Sequence, residues 1–374
     1  MRSRVHLLGV ATFLAHFCLS PASVGQRSVN IDVLPPSGPF AIGTKVYCWV
    51  DPSRHEKASK DPSALRQLIV QVWYPAESGR GPSSPFVPQL NSYRGIWEKS
   101  QVEVASHTQT HSHPNAKPIA AHGGLPIVLF SHGWEGTRSE YTSFAEDLAS
   151  HGYAVFGVDH PYMGRIALPN GEVTESTESQ FHSPAEVVAY YAGDLEFVIR
   201  EIADLNSADP EKIFVGKFDV TRIAAIGHSS GFVAASGACK IDSRIRACIN
   251  IDAPGFGASD LLGLDQPLLW IRLEKAGDLP AEYLKMIKVA AYELQIEAAN
   301  HGSVEDWDYL EAASPTQREA AGRVLRTIRR YVEAFLAKHL NRQNSDLPDA
   351  LSKSGMLWRV HFPVNPSSPT AKHP

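Results

Sequence analysis

The 374-residue chain has 43% hydrophobic and 20% charged residues and a formal net charge of −5. That composition excludes a wholly disordered chain, and without a basic field nucleic acid is not an expected partner. The length suits one large folded unit or two and the composition favours one, so small-molecule chemistry is the better expectation.

At the N-terminus Arg2 and Arg4 precede an apolar stretch over residues 5–19, followed by Pro21, Ala22, Ser23, Val24 and Gly25. Basic, apolar and small residues in that order read as a secretory signal over residues 1–25, and the apolar run is shorter than the ~20 residues a spanning helix needs. A secreted or periplasmic protein is expected. Losing the signal removes Cys18 and leaves Cys48, Cys239 and Cys248, so at most one internal disulfide can form. Cys239 and Cys248 lie in consecutive elements and are the pair placed to approach each other.

A single folded domain is expected over residues 26–340. Residues 68–73 alternate and run into Tyr74 and Pro75, a strand stopped by proline. Residues 76–124 read as an irregular insertion rich in Pro, Ser, Gly and His, placed near the mouth of a site. Its His107, His111 and His113 lack a carboxylate or cysteine at ligand spacing, so no metal is expected there. Residues 125–130 are continuously apolar, as in a strand buried on both faces, and lead into Ser131, His132, Gly133 and Trp134. A helix is predicted over 139–150, a buried strand over 154–158, a long helix over 185–205, strands over 222–226, 247–251 and 267–273, and a final amphipathic helix over 315–340. Strands alternating with helices predict a mostly parallel sheet with helices on both faces. Residues 341–374, polar and proline-rich with an isolated Met356, Leu357 and Trp358, are expected to form a loosely attached tail.

Between the strand at 222–226 and an alanine-rich helix over 232–240 stand Gly227, His228, Ser229, Ser230 and Gly231, the pattern G-x-S-x-G. A serine on a cramped strand-to-helix turn tolerates only small residues two positions to either side, and the helix start favours an oxyanion beside it. Such a nucleophile needs a base, an acid to orient the base, and two backbone donors. Chain order in α/β-hydrolases runs serine, acid, histidine. His301, in a polar loop after the apolar run 290–296, is the expected base; His339 falls on the terminal helix, and His361 and His373 in the tail. His228 is expected to point away from substrate and to pack or hydrogen-bond. Asp252 follows the strand at 247–251, and Glu274 and Asp278 follow the next, so position alone leaves the acid open. Asp306 and Asp308 are expected to be solvated. The oxyanion donors are expected to be the amides of Ser230 and of Trp134, the latter after the His132-Gly133 pair, with the Trp134 ring read as a core aromatic.

Taken together, the motifs resemble the platelet-activating factor acetylhydrolases of the plasma and intracellular type II kind and their bacterial relatives. The likeness is carried by Pro36-Ser37-Gly38-Pro39-Phe40 with Gly43-Thr44, by Val72-Trp73-Tyr74-Pro75-Ala76, Phe130-Ser131-His132-Gly133 and Leu148-Ala149-Ser150-His151-Gly152-Tyr153, and by Asp194. It continues through Gly227-His228-Ser229, Ile251-Asp252-Ala253, Gln266-Pro267-Leu268 and His301-Gly302-Ser303-Val304. The resemblance implies an α/β-hydrolase fold and selects Asp252, inside its aspartate-alanine pair, as the acid. The chain departs from the pattern at Phe232, where a second glycine is usual, at Trp134, and in the placing of His301 before Gly-Ser-Val. The resemblance further implies a serine-dependent ester hydrolase acting on short acyl esters, without cofactor or metal, on a small-molecule or lipid substrate with transient contact to a lipid surface. A general secreted esterase, a polyester hydrolase, an acyltransferase on the same triad and a non-catalytic binding module are the alternatives.

Overall fold

A computed structural model describes residues 31–255, 258–341 and 356–363. The segment read as a signal lies outside them. Strands form at β1 (Ile31–Asp32), β2 (Ala41–His55), β3 (Leu65–Ala76), β4 (Thr108–Gln109), β5 (Ser112–Pro114), β6 (Leu125–Ser131), β7 (Ala154–Asp159), β8 (Phe218–His228), β9 (Ile245–Ile251), β10 (Leu268–Arg272), β11 (Ala291–Ile296) and β12 (Met356–His361). β1 and β4 pair with each other; the rest form one sheet in the order β12-β11-β10-β9-β8-β6-β7-β3-β2-β5. From β7 through β11 every pairing is parallel, whereas β3 runs antiparallel to both β7 and β2. This is the predicted, mostly parallel sheet.

The unbroken apolar run of β6 is explained by what covers it. Ile127 and Leu129 face a layer built from α3 (Pro184–Ala208) and α4 (Gly231–Ile241), with Leu195, Val198, Ile202, Phe232 and Ala235 in the same cluster. Val128 and Phe130 face α2 (Thr142–Ser150) and the C-terminal helix Pro315–His339, through Phe144, Leu148, Ile328, Val332 and Phe335. A strand covered on both sides loses polar alternation, which is why period alone could not orient it. The two long helices share one start signal, a serine cap followed by proline: the Ser183 hydroxyl accepts from the Glu186 amide at 3.2 Å, and the Ser314 hydroxyl from the Gln317 amide at 3.2 Å.

Two sequence expectations are corrected here. Residues 76–124 are not irregular throughout, because they carry α1 (Lys99–His107), and β5 extends the sheet beside Ile42, Gly43 and Thr44. The buried Glu146 carboxylate anchors this stretch, accepting from the amides of His111 and Ser112 at 3.0 and 2.8 Å. In the region expected to be a loose tail, β12 pairs antiparallel with β11. Trp358 stacks on Tyr292, and Arg359 reaches the buried Glu293 at 3.3 Å. Cys239 and Cys248 approach each other in the core, as the sequence suggested, and both are free thiols.

Beside the C-terminal end of β7 lies a buried charge cluster. Arg66 is fully enclosed and donates to Asp194 at 3.1 and 2.6 Å, to Glu56 at 2.6 Å and to the Pro161 carbonyl at 2.9 Å. Burial alone would raise the Asp194 carboxyl, but Arg66 and His160 outweigh it and hold it well below the usual range. Removing one member leaves its partners charged in an apolar interior, which costs more than the cluster contributes when intact. Arg66→Met is therefore expected to lower unfolding stability by about 3–5 kcal/mol, read from urea midpoints; an unchanged midpoint would contradict this account.

Candidate active site

β8 ends at His228 and α4 begins at Gly231, so the chain reverses direction within a few residues around Ser229. Ser229 adopts φ 52°, a left-handed conformation unusual for a side chain with a Cβ. Both flanking glycines are required sterically: a Cβ on Gly227 would lie 2.3 Å from the Phe232 nitrogen, and one on Gly231 2.3 Å from the Ser131 oxygen. The Ser229 amide donates to the Ile251 carbonyl at 2.9 Å, fixing the turn to the end of β9.

His301 and Asp252 reach this serine from separate loops. The Ser229 hydroxyl lies 2.9 Å from Nε2 of His301, and Nδ1 of the same ring lies 2.7 Å from Oδ2 of Asp252. With Nδ1–H donating to the carboxylate, Nε2 is left to accept from the serine. Asp252 is fully buried at φ 51°, and Oδ1 accepts from the amides of Leu273, Glu274, Lys275 and Ala276 at 2.8 to 3.1 Å. Burial pushes the Asp252 carboxyl up, but the bonds from His301 and these amides overcome it and bring it to about 2. The acid is thus ionised and rigid.

The other acids have different work. Glu274 accepts from the His301 backbone amide at 2.9 Å, so it anchors the loop without touching the ring. Asp278 pairs with Arg272. Asp306, expected to be solvated, is buried: it accepts from the Ser143 amide at 2.9 Å and from the Ser143 hydroxyl, and burial pushes it up to about 7 despite those bonds. Beyond His301, Trp307 packs edge-on against Phe86 and Trp97 of the insertion, which buttresses the histidine loop. A cavity of about 540 Å³ within that insertion, beside Pro85, Leu90 and Ala105, is lined by none of Ser229, Asp252 and His301.

Opposite Ser229 stands Gly133, where a Cβ would come within 3.3 Å of the serine Cβ. The Gly133 amide donates to the Tyr141 hydroxyl at 3.3 Å. The Gly133 carbonyl accepts from Nδ1 of His132 at 2.7 Å and from the Gly136 amide at 3.2 Å. A trans peptide points its N–H opposite its C=O, so these bonds fix the direction of the Trp134 amide. Among the described residues neither the Trp134 nor the Ser230 amide has an intramolecular acceptor. The Trp134 ring is not a core aromatic; it is 38% exposed. His132 is in turn held by the His160 amide, at 3.0 Å from Nε2, and His160 by Asp194 at 2.8 Å, which ties this loop to the buried charge cluster.

His228 is buried and turned away from the hydroxyl of Ser229, as expected, with Nε2 3.0 Å from the His301 carbonyl and Nδ1 2.8 Å from the Tyr141 hydroxyl. Sequence reasoning missed Tyr141 and Glu305, 3.1 Å apart, which no motif marks.

Residues 28–180 match the family model described as platelet-activating factor acetylhydrolase, isoform II. The chain is 27% identical over 252 residues to an Arthroderma benhamiae protein named "Probable 1-alkyl-2-acetylglycerophosphocholine esterase", covering 61% of this chain and 60% of that one. Over these stretches the chain is similar to the platelet-activating factor acetylhydrolases. It is also 27% identical to the platelet-activating factor acetylhydrolase of Canis lupus familiaris over 199 residues, 46% of this chain and 45% of the other. It thus spans about half to three fifths of the length of these curated relatives. Among solved structures, a ferulic acid esterase from Streptomyces cinnamoneus superposes with a TM-score of 0.72 at 28% identity, covering 88% of this chain and 99% of that one. The fold is that of an α/β-hydrolase.

Steric crowding at the turn makes a direct prediction. Gly231→Ala forces a methyl group against the Ser131 and His132 carbonyls. It is expected to cost at least about 2 kcal/mol of stability and to lower turnover in any material that still folds, measured by thermal unfolding beside an ester assay.

Proposed function

We propose that this chain is a serine ester hydrolase that cleaves short acyl esters through an acyl-enzyme. The observation that carries the reading is the unbroken hydrogen-bonded series from the Ser229 hydroxyl through His301 to Asp252, at 2.9 and 2.7 Å. His301 accepts the serine proton at Nε2 as Oγ attacks the ester carbonyl, and the carbonyl oxygen becomes an oxyanion. The buried Asp252 carboxylate holds the ring's orientation and stabilises the imidazolium that forms. The amides of Trp134 and Ser230 donate to the oxyanion, and the positive start of α4 adds to its stabilisation. The imidazolium returns its proton to the departing alkoxide. Water then attacks the acyl-serine with His301 again as base, releasing the carboxylic acid.

The likeness to acetylhydrolases favours a phospholipid with a short sn-2 acyl group, with transient contact at a lipid surface. A second reading, a general esterase of soluble aryl or alkyl esters, is favoured by the ferulic acid esterase likeness, which extends over most of the chain. Export belongs to this reading and rests on the order of Arg2, Arg4 and the apolar residues 5–19. Among the described residues no helix is long and apolar enough to cross a membrane.

Ser229→Ala is expected to abolish fluorophosphonate labelling and to lower kcat by at least about 10⁴-fold, and Asp252→Asn to lower kcat by about 10³–10⁴-fold with the fold retained. A wild-type chain that neither labels nor turns over any short ester overturns the proposal. Rates against acyl length, on a phospholipid and on a soluble ester, separate the two substrate readings: a steep decline beyond acetyl on the phospholipid supports the first, and phospholipid ignored beside rapid soluble-ester cleavage supports the second.

A further inference from the structure

The Tyr141 hydroxyl, buried behind Ser229, touches groups from both sides of the site. It accepts from the Gly133 amide at 3.3 Å, lies 2.8 Å from Nδ1 of His228, and lies 3.1 Å from Oε1 of Glu305. His228 continues the path, with Nε2 3.0 Å from the His301 carbonyl. One phenol therefore joins the loop that carries the Trp134 amide to the loop that carries His301.

The His301 carbonyl can only accept, so Nε2 of His228 must carry hydrogen. In a neutral ring Nδ1 then accepts, and it takes the single proton of Tyr141. The Tyr141 oxygen, its proton committed, can meet Glu305 only by accepting. Glu305 must then be a protonated carboxyl, because the carboxylate has nothing to donate. The other solution, a doubly protonated His228, is opposed by burial and by the neighbouring His301, which take His228 down to about 3.

We propose that Tyr141, His228 and protonated Glu305 are positioning residues that lock the oxyanion-side loop to the His301 loop, and that this lock loosens when Glu305 ionises. The inference rests on the serine esterase reading above.

The surroundings of Glu305 suit a proton held near neutrality. Tyr141 and Glu140 face it from the 3₁₀ turn Arg138–Tyr141, His228 from the end of β8, Lys275 from the loop after β10, and Asp306 and Asp308 from its own segment. Burial pushes Glu305 up to about 7; the Tyr141 bond and Lys275 oppose this, while Asp308 and Asp306 add to it. Its side chain is 24% exposed, so the proton can leave to solvent. Below this value the lock is complete. Above it Tyr141 turns its proton to the carboxylate, the His228 proton moves from Nε2 to Nδ1, and Nε2 meets the His301 carbonyl lone pair to lone pair.

The test is the pH profile of kcat on a short soluble ester for wild type, Glu305→Gln and Tyr141→Phe, each with its unfolding midpoint and fluorophosphonate labelling rate. Wild type is expected to lose turnover on an alkaline limb, whereas the glutamine amide donates to Tyr141 at every pH. The ratio of kcat at about pH 9 to that at about pH 6 should therefore be at least about threefold higher in Glu305→Gln than in wild type. Tyr141→Phe should lower kcat about tenfold with KM within about twofold, and should show no such limb. An alkaline limb identical in wild type and Glu305→Gln overturns the proposal, as does undiminished turnover in Tyr141→Phe. Should Tyr141→Phe fail to fold, the Glu305→Gln ratio decides alone. Failure of the esterase reading looks different, since wild type would then neither label nor turn over.

Discussion

A serine held at φ 52° is the constraint on which the rest of the site depends. Asp252, at the end of the neighbouring strand, is held at φ 51°. Each conformation costs about 1–3 kcal/mol and persists only where surrounding contacts over-determine it. Those contacts run stepwise across the sheet: the Ser229 amide donates to the last residue of β9, and the Asp252 amide to Ile271 near the end of β10. Three parallel strands thus share the strain, and the parallel order β8-β9-β10 delivers both side chains to the same edge. An antiparallel neighbour at either place would have sent one of them to the opposite end of the sheet.

The motifs scattered along the chain turn out to be contacts made in space. Ser37 and Gly38 bind Asp147 and Ser150 at 2.7 and 2.9 Å, and a Cβ on Gly38 would sit 2.3 Å from the Ser150 oxygen. Asp194, in the middle of α3, is the acceptor that holds Arg66 and His160. Through His160 and His132 it reaches the Gly133 carbonyl. A charge buried under the sheet edge is therefore connected by three hydrogen bonds to the direction of one backbone amide beside Ser229. Desolvation makes such a cluster expensive to leave incomplete, and that same expense keeps its geometry from drifting.

The elements that sequence reveals are those whose own residues explain them. The continuous apolar runs of β6, β7 and β9 and the serine-proline starts of the long helices are of that kind, and so is the G-x-S-x-G turn, since its glycines answer a local clash. The proposed base was legible because His301 alone among the later histidines stood on a loop after a buried strand. The proposed acid was not, since two neighbouring strands both end in carboxyl groups; only the resemblance separated Asp252 from Glu274. Burial of Asp306 depends on Ser143, far away in the chain, and no local pattern announces it. β12 was read as tail for the same reason: its short apolar stretch stands isolated in a polar, proline-rich segment, and its partners Tyr292, Tyr331 and Glu293 lie in other elements.

That last strand also changes how the sheet meets its surroundings. β11 is buried along nearly its whole length, with Ala291, Tyr292, Leu294 and Ile296 in the core. Left as an edge, it would offer a row of open amides and carbonyls to any extended chain nearby. β12 fills that row with six residues of the same polypeptide. It presents its own border to the outside, with the arginine Arg359 the most exposed of its residues. β12 in this sense covers an edge that would otherwise stand open to pairing between copies of the chain.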